Sequence, residues 1–179
     1  MVCNTGPGMQ DRLPQQETDF FSDQPFQRRD EGDDADFFRA PSLEPFWDRR
    51  ALAQVSAIYD RLIPSQADIL DLMAGVHSPL QESSLDIARL YCAGLNAEEL
   101  EHNPICHQRR VLNVNTIETL PFADQQFDVV LMDVEMPEMD GLELLEELRS
   151  KKSEAIVVML TAYGSEEYAI QSFRKGANN

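Results

Sequence analysis

The stretch FDVVLMDVEMPEMDG (Phe127–Gly141) decides the fold of the second half of this chain of 179 residues. A run of branched apolar residues ends in an aspartate, Asp133, and the helical pattern LELLEELRSK follows Gly141. A second apolar run, AIVVML, begins at Ala155 and is followed by the hydroxyl-bearing Thr161. Neighbouring parallel strands end at the same edge of a sheet, and open α/β sheets bind their ligands there. The sequence therefore predicts that Asp133 and Thr161 lie side by side.

Further apolar runs extend the same pattern toward the N-terminus. The predicted strands are Ala67–Gly75, Arg89–Ala93, Arg109–Asn115, Phe127–Met132 and Ala155–Leu160. Apolar residues at helical spacing predict a helix that stops at Pro64, and two more helices follow the last two strands. Because strands and helices alternate, the predicted fold class is α/β, with a doubly wound parallel sheet between two helical layers.

Charge and composition limit the partners of this chain. Its 32 acidic and 15 basic residues give a net charge of −17, which argues against nucleic acid or an anionic membrane as a direct partner. The longest apolar runs are too short to span a bilayer, and no secretory signal is visible, so we expect a cytoplasmic protein. The three scattered cysteines have no metal-ligand spacing, which predicts free thiols and no zinc site.

The chain divides into two regions by composition. Residues 1–40 are rich in Gln, Asp, Pro and Gly without a sustained period, which predicts an acidic disordered arm. The alternative for this arm is a docking segment that uses its paired phenylalanines. Residues 41–179 are predicted to form a single α/β domain.

The phrase D-x-x-M-P-x-M-D-G together with L-T-A resembles the response-regulator receiver domain, over about residues 127–179. The resemblance implies a module of phosphorelay signal transduction in a two-component system, with a histidine kinase or another phosphodonor as its partner. It also implies that Asp133 is the phosphoacceptor and that Thr161 and Ala162 contact the phosphoryl group. Mg²⁺ would be bound by Asp133 and by the backbone carbonyl of Glu135.

Two parts of the receiver constellation have no counterpart in this sequence. The family has a pair of acids at the end of its first strand, where this chain has Leu72-Met73-Ala74, with Asp71 earlier in the strand. Because Mg²⁺ prefers several oxygen ligands, the loss of this acid pair predicts weak Mg²⁺ binding. The second missing part is the family's lysine, and we also expect no counterpart of the family's last strand and helix. Two interpretations of Asp133 remain open, a phosphoacceptor and an inherited strand-end carboxylate without chemistry.

The middle of the chain, about residues 67–131, resembles class I SAM-dependent methyltransferases in DILDLMAG, GLNAEEL and VLNVNTIETLPFADQQFDVVL. The resemblance implies a second class of function, methyl transfer with SAM held around Asp71, Gly75, Asn96 and Asn113. The turn has one glycine where the family has G-x-G, and asparagines stand where the family has acids. Because asparagine cannot make the paired charge-assisted contacts of a carboxylate, we expect an incomplete site.

The two resemblances meet in FDVVLMD, so the chain reads as a join between a methyltransferase-like half (67–131) and a receiver-like half (127–179). Both families have doubly wound sheets of the Rossmann or flavodoxin-like kind, and together they predict the strand order 3-2-1-4-5. Ala155–Leu160 would then be an exposed edge strand, and we expect self-association through it. A third possibility is a fused or truncated chain that has a fold but no activity.

Overall fold

The computed structural model describes residues 39–44, 48–72, 74–117, 119–133, 141–151, 153–160 and 166–178, which all fall within the unit formed by residues 33–179. The helices in this part of the chain are α1 (Arg49–Leu62), α2 (Ala97–His102), α3 (Gly141–Ser150) and α4 (Glu166–Lys175). The strands are β1 (Asp68–Leu72), β2 (Arg89–Gly94), β3 (Gln108–Val111), β4 (Val129–Asp133) and β5 (Ile156–Leu160). Short 3-10 helices span Pro79–Glu82 and Val114–Thr116.

The described strands form one sheet in the order β3-β2-β1-β4-β5, and every neighbouring pair is parallel. This confirms the predicted α/β class and the strand order 3-2-1-4-5. The bounds differ from the prediction at both ends of the strands, most of all in β3, which spans Gln108–Val111 where Arg109–Asn115 was predicted. β1 ends at Leu72, before the glycine turn, and β4 extends one residue further than predicted to include Asp133.

The sheet is covered on both faces, which explains why its central strands are apolar throughout. All four residues from Val129 to Met132 in β4 are buried, as expected for a parallel strand between two helical layers. One face packs on α1 and α2 through a cluster that includes Tyr59, Ile63, Ile69, Leu90, Leu100, Val129, Leu131 and Val158. The other face packs on α3 through a cluster that includes Leu70, Leu72, Val130, Met132, Leu144, Leu145 and Val157.

Local signals in the sequence account for where the helices begin and end. Asp48 caps α1 by accepting hydrogen bonds from the N–H groups of Arg50 and Ala51. Gly176 follows α4 with a φ of +100°, a conformation that glycine adopts without steric cost and that commonly ends a helix. None of the helices in the described ranges is long and apolar enough to cross a membrane.

Candidate functional site

Asp133 is the last residue of β4, and it is half-buried at the carboxyl end of the sheet. Its partner in the register of the neighbouring strand is Leu160, which is the last residue of β5. Thr161 follows Leu160 directly in the sequence. The structure therefore brings together the two strand ends on which the predicted receiver site depends. Glu135, Thr161 and Ala162 themselves lie outside the described residues, so their contacts stay a prediction.

The end of β1 next to this position is apolar in the described residues. Leu72 and Ala74 are buried, and the N–H of Ala74 donates to the carbonyl oxygen of Ala93 at 2.9 Å. Neither side chain offers an oxygen ligand. The described residues at the end of β1 thus lack the carboxylates that the receiver resemblance places there, as the sequence predicted.

Asp71 is the nearest acid on β1, and it is engaged inside the fold. It pairs in register with Cys92 on one side and with Leu131 on the other, two residues before Asp133 in β4. Ser78 donates from its hydroxyl to the carboxylate at 3.3 Å. Removal from water raises the pKa of Asp71 to about 7, against the smaller opposing effect of this hydrogen bond. The carboxyl group therefore changes its charge near neutral pH.

Two ionisable side chains near Asp71, those of Tyr59 and Cys92, are held in their neutral forms. Burial raises the pKa of Tyr59 and of Cys92 well above their ordinary values, and the nearby charge of Asp71 raises both further. Tyr59 reaches this position from α1 and Cys92 from β2. Asp71 is consequently the member of this group that titrates at physiological pH.

The residues present do not fit a Mg²⁺ site in the part of the chain that the structure describes. Mg²⁺ prefers six oxygen ligands in near-octahedral geometry, usually from one or two carboxylates with water and phosphate. At the shared edge of β1, β4 and β5, the described strand ends supply one carboxylate, that of Asp133. No group of three His, Cys, Asp or Glu side chains positioned to hold a metal occurs among the described residues.

Two glycines shape the turn that follows β1. A Cβ on Gly94 would lie 2.2 Å from the carbonyl oxygen of Ala74, so the close approach of the two strand ends requires glycine there. A Cβ on Gly75 would lie 3.2 Å from Oε2 of Glu99. The space beside Gly75, which the methyltransferase resemblance assigns to a cofactor, is therefore next to a carboxylate of the chain itself.

The asparagines predicted to hold SAM have structural partners. Asn96 caps α2, because its side-chain oxygen accepts from the N–H groups of Glu98 (2.9 Å) and Glu99 (3.2 Å). Its amide nitrogen donates to the carbonyl oxygen of Arg39 at 3.3 Å. Asn113 follows β3, and its carbonyl oxygen accepts from the N–H of Thr116 at 3.2 Å.

SAM does not fit the described residues either. Every buried side-chain nitrogen or oxygen in the described ranges has a hydrogen-bond partner, so no orphaned buried polar atom marks a cofactor site. The structure gathers Asp71, Gly75 and Asn96 at the carboxyl ends of β1 and β2, and it places Asn113 after the neighbouring β3. The predicted residues are near one another, but their polar groups are already used within the chain.

Glu99 is the residue at this turn that sequence analysis missed. Its side chain is only 5% exposed, although AEEL reads as the start of an amphipathic helix with its acids in water. Asn96 and Glu99 have the spacing of a capping box, and this spacing was the available sign that Glu99 bonds to a backbone N–H. Glu99 does not bond back to its own helix, however, but accepts from the N–H of Ser42 at 2.7 Å.

Comparison with known proteins finds a family match and relatives for the C-terminal part of the chain. Residues 114–179 match the family model described as response regulator receiver domain. The regulatory protein AtoC of Escherichia coli K12 is 50% identical over 56 residues, which are 31% of this chain and 12% of AtoC. The chemotaxis protein CheY of Listeria monocytogenes is 40% identical over 52 residues, which are 29% of this chain and 44% of CheY. The chain thus spans less than half the length of these relatives.

Solved structures resemble a larger part of the chain at much lower identity. The PH0226 protein from Pyrococcus horikoshii OT3 superposes with a TM-score of 0.50 and 13% identity, covering 70% of this chain and 65% of that protein. This likeness shows the fold alone. A putative methyltransferase of Haloferax volcanii, solved with the activator Trm112, superposes with a TM-score of 0.47 and 16% identity, covering 70% of this chain and 63% of that protein.

Proposed function

We propose, on the premise that residues 114–179 match the family model of the response regulator receiver domain, that this chain is a phosphorelay signalling module with Asp133 as its phosphoacceptor. The donor would be a histidine kinase or a small phosphodonor, as receiver domains in general use. The observation that carries the proposal is the position of Asp133, at the end of β4 and paired with the last residue of β5.

This position suits nucleophilic attack on a phosphoryl group. A half-buried carboxylate at the rim of the sheet is accessible to a donor, whereas the rest of β4 is buried. An oxygen of Asp133 would form a bond to phosphorus while the bond from phosphorus to the donor's nitrogen or oxygen breaks, leaving an acyl phosphate on the protein. The leaving group departs with the electron pair of the broken bond.

Thr161 would contribute one hydrogen bond to the transferred group. It follows Leu160, whose backbone is in register with Asp133, so its position in the sequence supports this role. Ala162 would keep the approach to the carboxylate open, and the backbone carbonyl of Glu135 would face the same end of the sheet. Thr161→Ala is expected to slow phosphorylation roughly tenfold, by analogy with other deletions of a hydrogen-bond donor to a transition state.

The apolar end of β1 limits how well this module would work. Since the described residues at the corresponding strand end, Leu72 and Ala74, are not acids, the charge of the transferring group is poorly compensated by the described residues. We expect slow and partial phosphorylation. Metal dependence would appear as a weak response that does not saturate at millimolar Mg²⁺.

A titration with beryllofluoride, which mimics a phosphoryl group, tests the proposal without a kinase. Isothermal titration of the protein with beryllofluoride and Mg²⁺ should give a weak heat of binding that is lost in Asp133→Asn. Titration with S-adenosylhomocysteine in the same buffer tests the alternative, a SAM-binding methyltransferase-like domain. That alternative rests on the sequence resemblance over about residues 67–131, and the hydrogen-bonded polar groups at the glycine turn weigh against it.

A further inference from the structure

A short segment before α1, residues 39–44, lies across the glycine turn that follows β1 and the start of α2. We call it the strap. Three side chains of the turn and of α2 bond to main-chain groups of the strap, in the pairs Asn96–Arg39, Glu99–Ser42 and His77–Leu43. The strap is therefore docked through its backbone, over contacts that are 34 to 57 residues apart in sequence.

The contact between Glu99 and Ser42 is the strongest of the three. Oε1 of Glu99 accepts from the backbone N–H of Ser42 at 2.7 Å, and the Glu99 side chain is almost fully buried. A buried carboxylate is costly unless it is hydrogen-bonded, and bonds to a charged acceptor are about twice as strong as neutral ones. The strap thus supplies a donor to an acid that would otherwise be poorly satisfied.

The other two contacts hold carbonyl oxygens of the strap. The amide nitrogen of Asn96 donates to Arg39, and Nε2 of His77 lies 3.3 Å from the carbonyl oxygen of Leu43, to which it donates in the tautomer protonated at Nε2. The acceptor of Glu99 and the donors of Asn96 and His77 are therefore bonded to main-chain groups of the strap. Side-chain donors and acceptors of this kind could otherwise bind the hydroxyl groups of the ribose of SAM.

We propose that the strap takes the place of a ligand at this turn, so that the polar groups at the ends of β1 and β2 bind the chain itself and do not bind SAM. Two observations on the fold carry this inference. Glu99, which the strap satisfies, lies beside Gly75 in the space that a cofactor would approach. The side-chain acceptor of Glu99 and the donors of Asn96 and His77 are bonded to main-chain groups of the strap.

Limited trypsin digestion of the full chain measures whether these contacts hold the strap. Cleavage after Arg39, followed by mass spectrometry, reports on its release. Ser42→Pro removes the N–H that donates to Glu99, and Ser42→Ala is the matched control that keeps it. Since a hydrogen bond to a charged group is worth about a factor of ten or more, Ser42→Pro should be cleaved roughly tenfold faster, and Ser42→Ala at the rate of the wild type.

A second variant guards against misfolding of the first. Asn96→Asp keeps the cap of α2, since aspartate caps as well as asparagine, but it cannot donate to Arg39. We expect roughly threefold faster cleavage after Arg39, because a neutral hydrogen bond is weaker. S-adenosylhomocysteine should change neither the wild-type cleavage rate nor its melting temperature.

Each outcome decides the proposal. If Ser42→Pro folds, as judged by circular dichroism, and is cleaved at the wild-type rate, the contacts do not hold the strap and the proposal is wrong. If Ser42→Pro does not fold, an unchanged rate in Asn96→Asp has the same meaning. Faster cleavage of the wild type in the presence of S-adenosylhomocysteine would show that the ligand displaces the strap, which also overturns the proposal.

Discussion

Asn178 bonds to both outward main-chain groups of Val157 in the edge strand β5. Its backbone N–H donates to the carbonyl oxygen of Val157 at 2.9 Å, and its side-chain oxygen accepts from the N–H of Val157 at 2.9 Å. Arg149 supports this contact by donating to the carbonyl oxygen of Gly176 (2.7 Å) and to the side-chain oxygen of Asn178 (3.3 Å). In the described sheet β5 is an edge strand, as predicted, but the outward main-chain groups of Val157 already bond to Asn178.

Removing this contact should promote the self-association that the edge strand predicts. Asn178→Ala leaves the N–H of Val157 without its acceptor, and a strand from a second chain would restore a hydrogen bond of about 1 kcal/mol. We expect dimerisation at about fivefold lower protein concentration, measured by sedimentation velocity over a concentration series. Asn178→Asp retains the acceptor oxygen and should sediment like the wild type. Identical sedimentation of Asn178→Ala and the wild type at every concentration would rule this role out.

The close approach at Gly94 predicts a strong and specific sensitivity to one methyl group. Gly94→Ala would place a Cβ 2.2 Å from the backbone oxygen of Ala74, and the backbone of the turn must move to relieve the overlap. We expect a loss of about 3 kcal/mol or more in the free energy of unfolding in urea. Gly75→Ala is the control, because its Cβ meets the end of the flexible Glu99 side chain at 3.2 Å and should cost less. Equal stability of Gly94→Ala and the wild type would contradict the geometry.

The raised pKa of Asp71 predicts how stability depends on pH. With a pKa of about 7 in the folded chain and an ordinary value of 3.8, the folded state binds the proton more tightly than the unfolded state between these values. The contribution of Asp71 to stability is therefore full at low pH, falls as pH rises from about 4 to about 7, and is constant above that. The total change should be a few kcal/mol, at about 1.4 kcal/mol for each pKa unit.

Asp71→Asn isolates this contribution, because the amide has nearly the same shape and does not titrate. Urea unfolding of both proteins at several pH values between about 4 and 8 gives the difference in their free energies of unfolding. We expect Asp71→Asn to gain stability relative to the wild type as pH rises through this range. A difference that does not vary with pH would mean that the carboxyl group is solvated in the folded chain.

The arrangement of the sheet was predictable because it depends on patterns within short segments. The run Val129–Met132 is apolar at every position, which is what a strand buried on both faces requires. The two family resemblances then supplied the strand order, which the register of β1 with β4 confirms. Asp133 at a strand end followed from the same pattern.

Contacts between distant residues were not predictable from those patterns. Glu99 reads as an exposed helical acid, but it is buried and accepts a hydrogen bond from the N–H of Ser42, 57 positions away. Arg149 reads as a solvated charge at the end of α3, yet it donates to the carbonyl oxygens of Ser153, Ala155 and Gly176. Single-sequence periodicity shows which face of an element is apolar, but it does not show which polar group lies opposite a given side chain.

The mass of the intact protein after treatment with acetyl phosphate and Mg²⁺ tests the central claim, phosphorylation of Asp133, most directly. The wild type should gain one phosphoryl group slowly and in part of the population, and Asp133→Asn should gain none, because an amide is not a comparable nucleophile. Asp124→Asn, which changes an exposed acid in the loop before β4, is the matched control and should behave like the wild type. No gain of mass in the wild type at high Mg²⁺, or an equal gain in Asp133→Asn, would contradict the account and leave Asp133 as a strand-end carboxylate without chemistry.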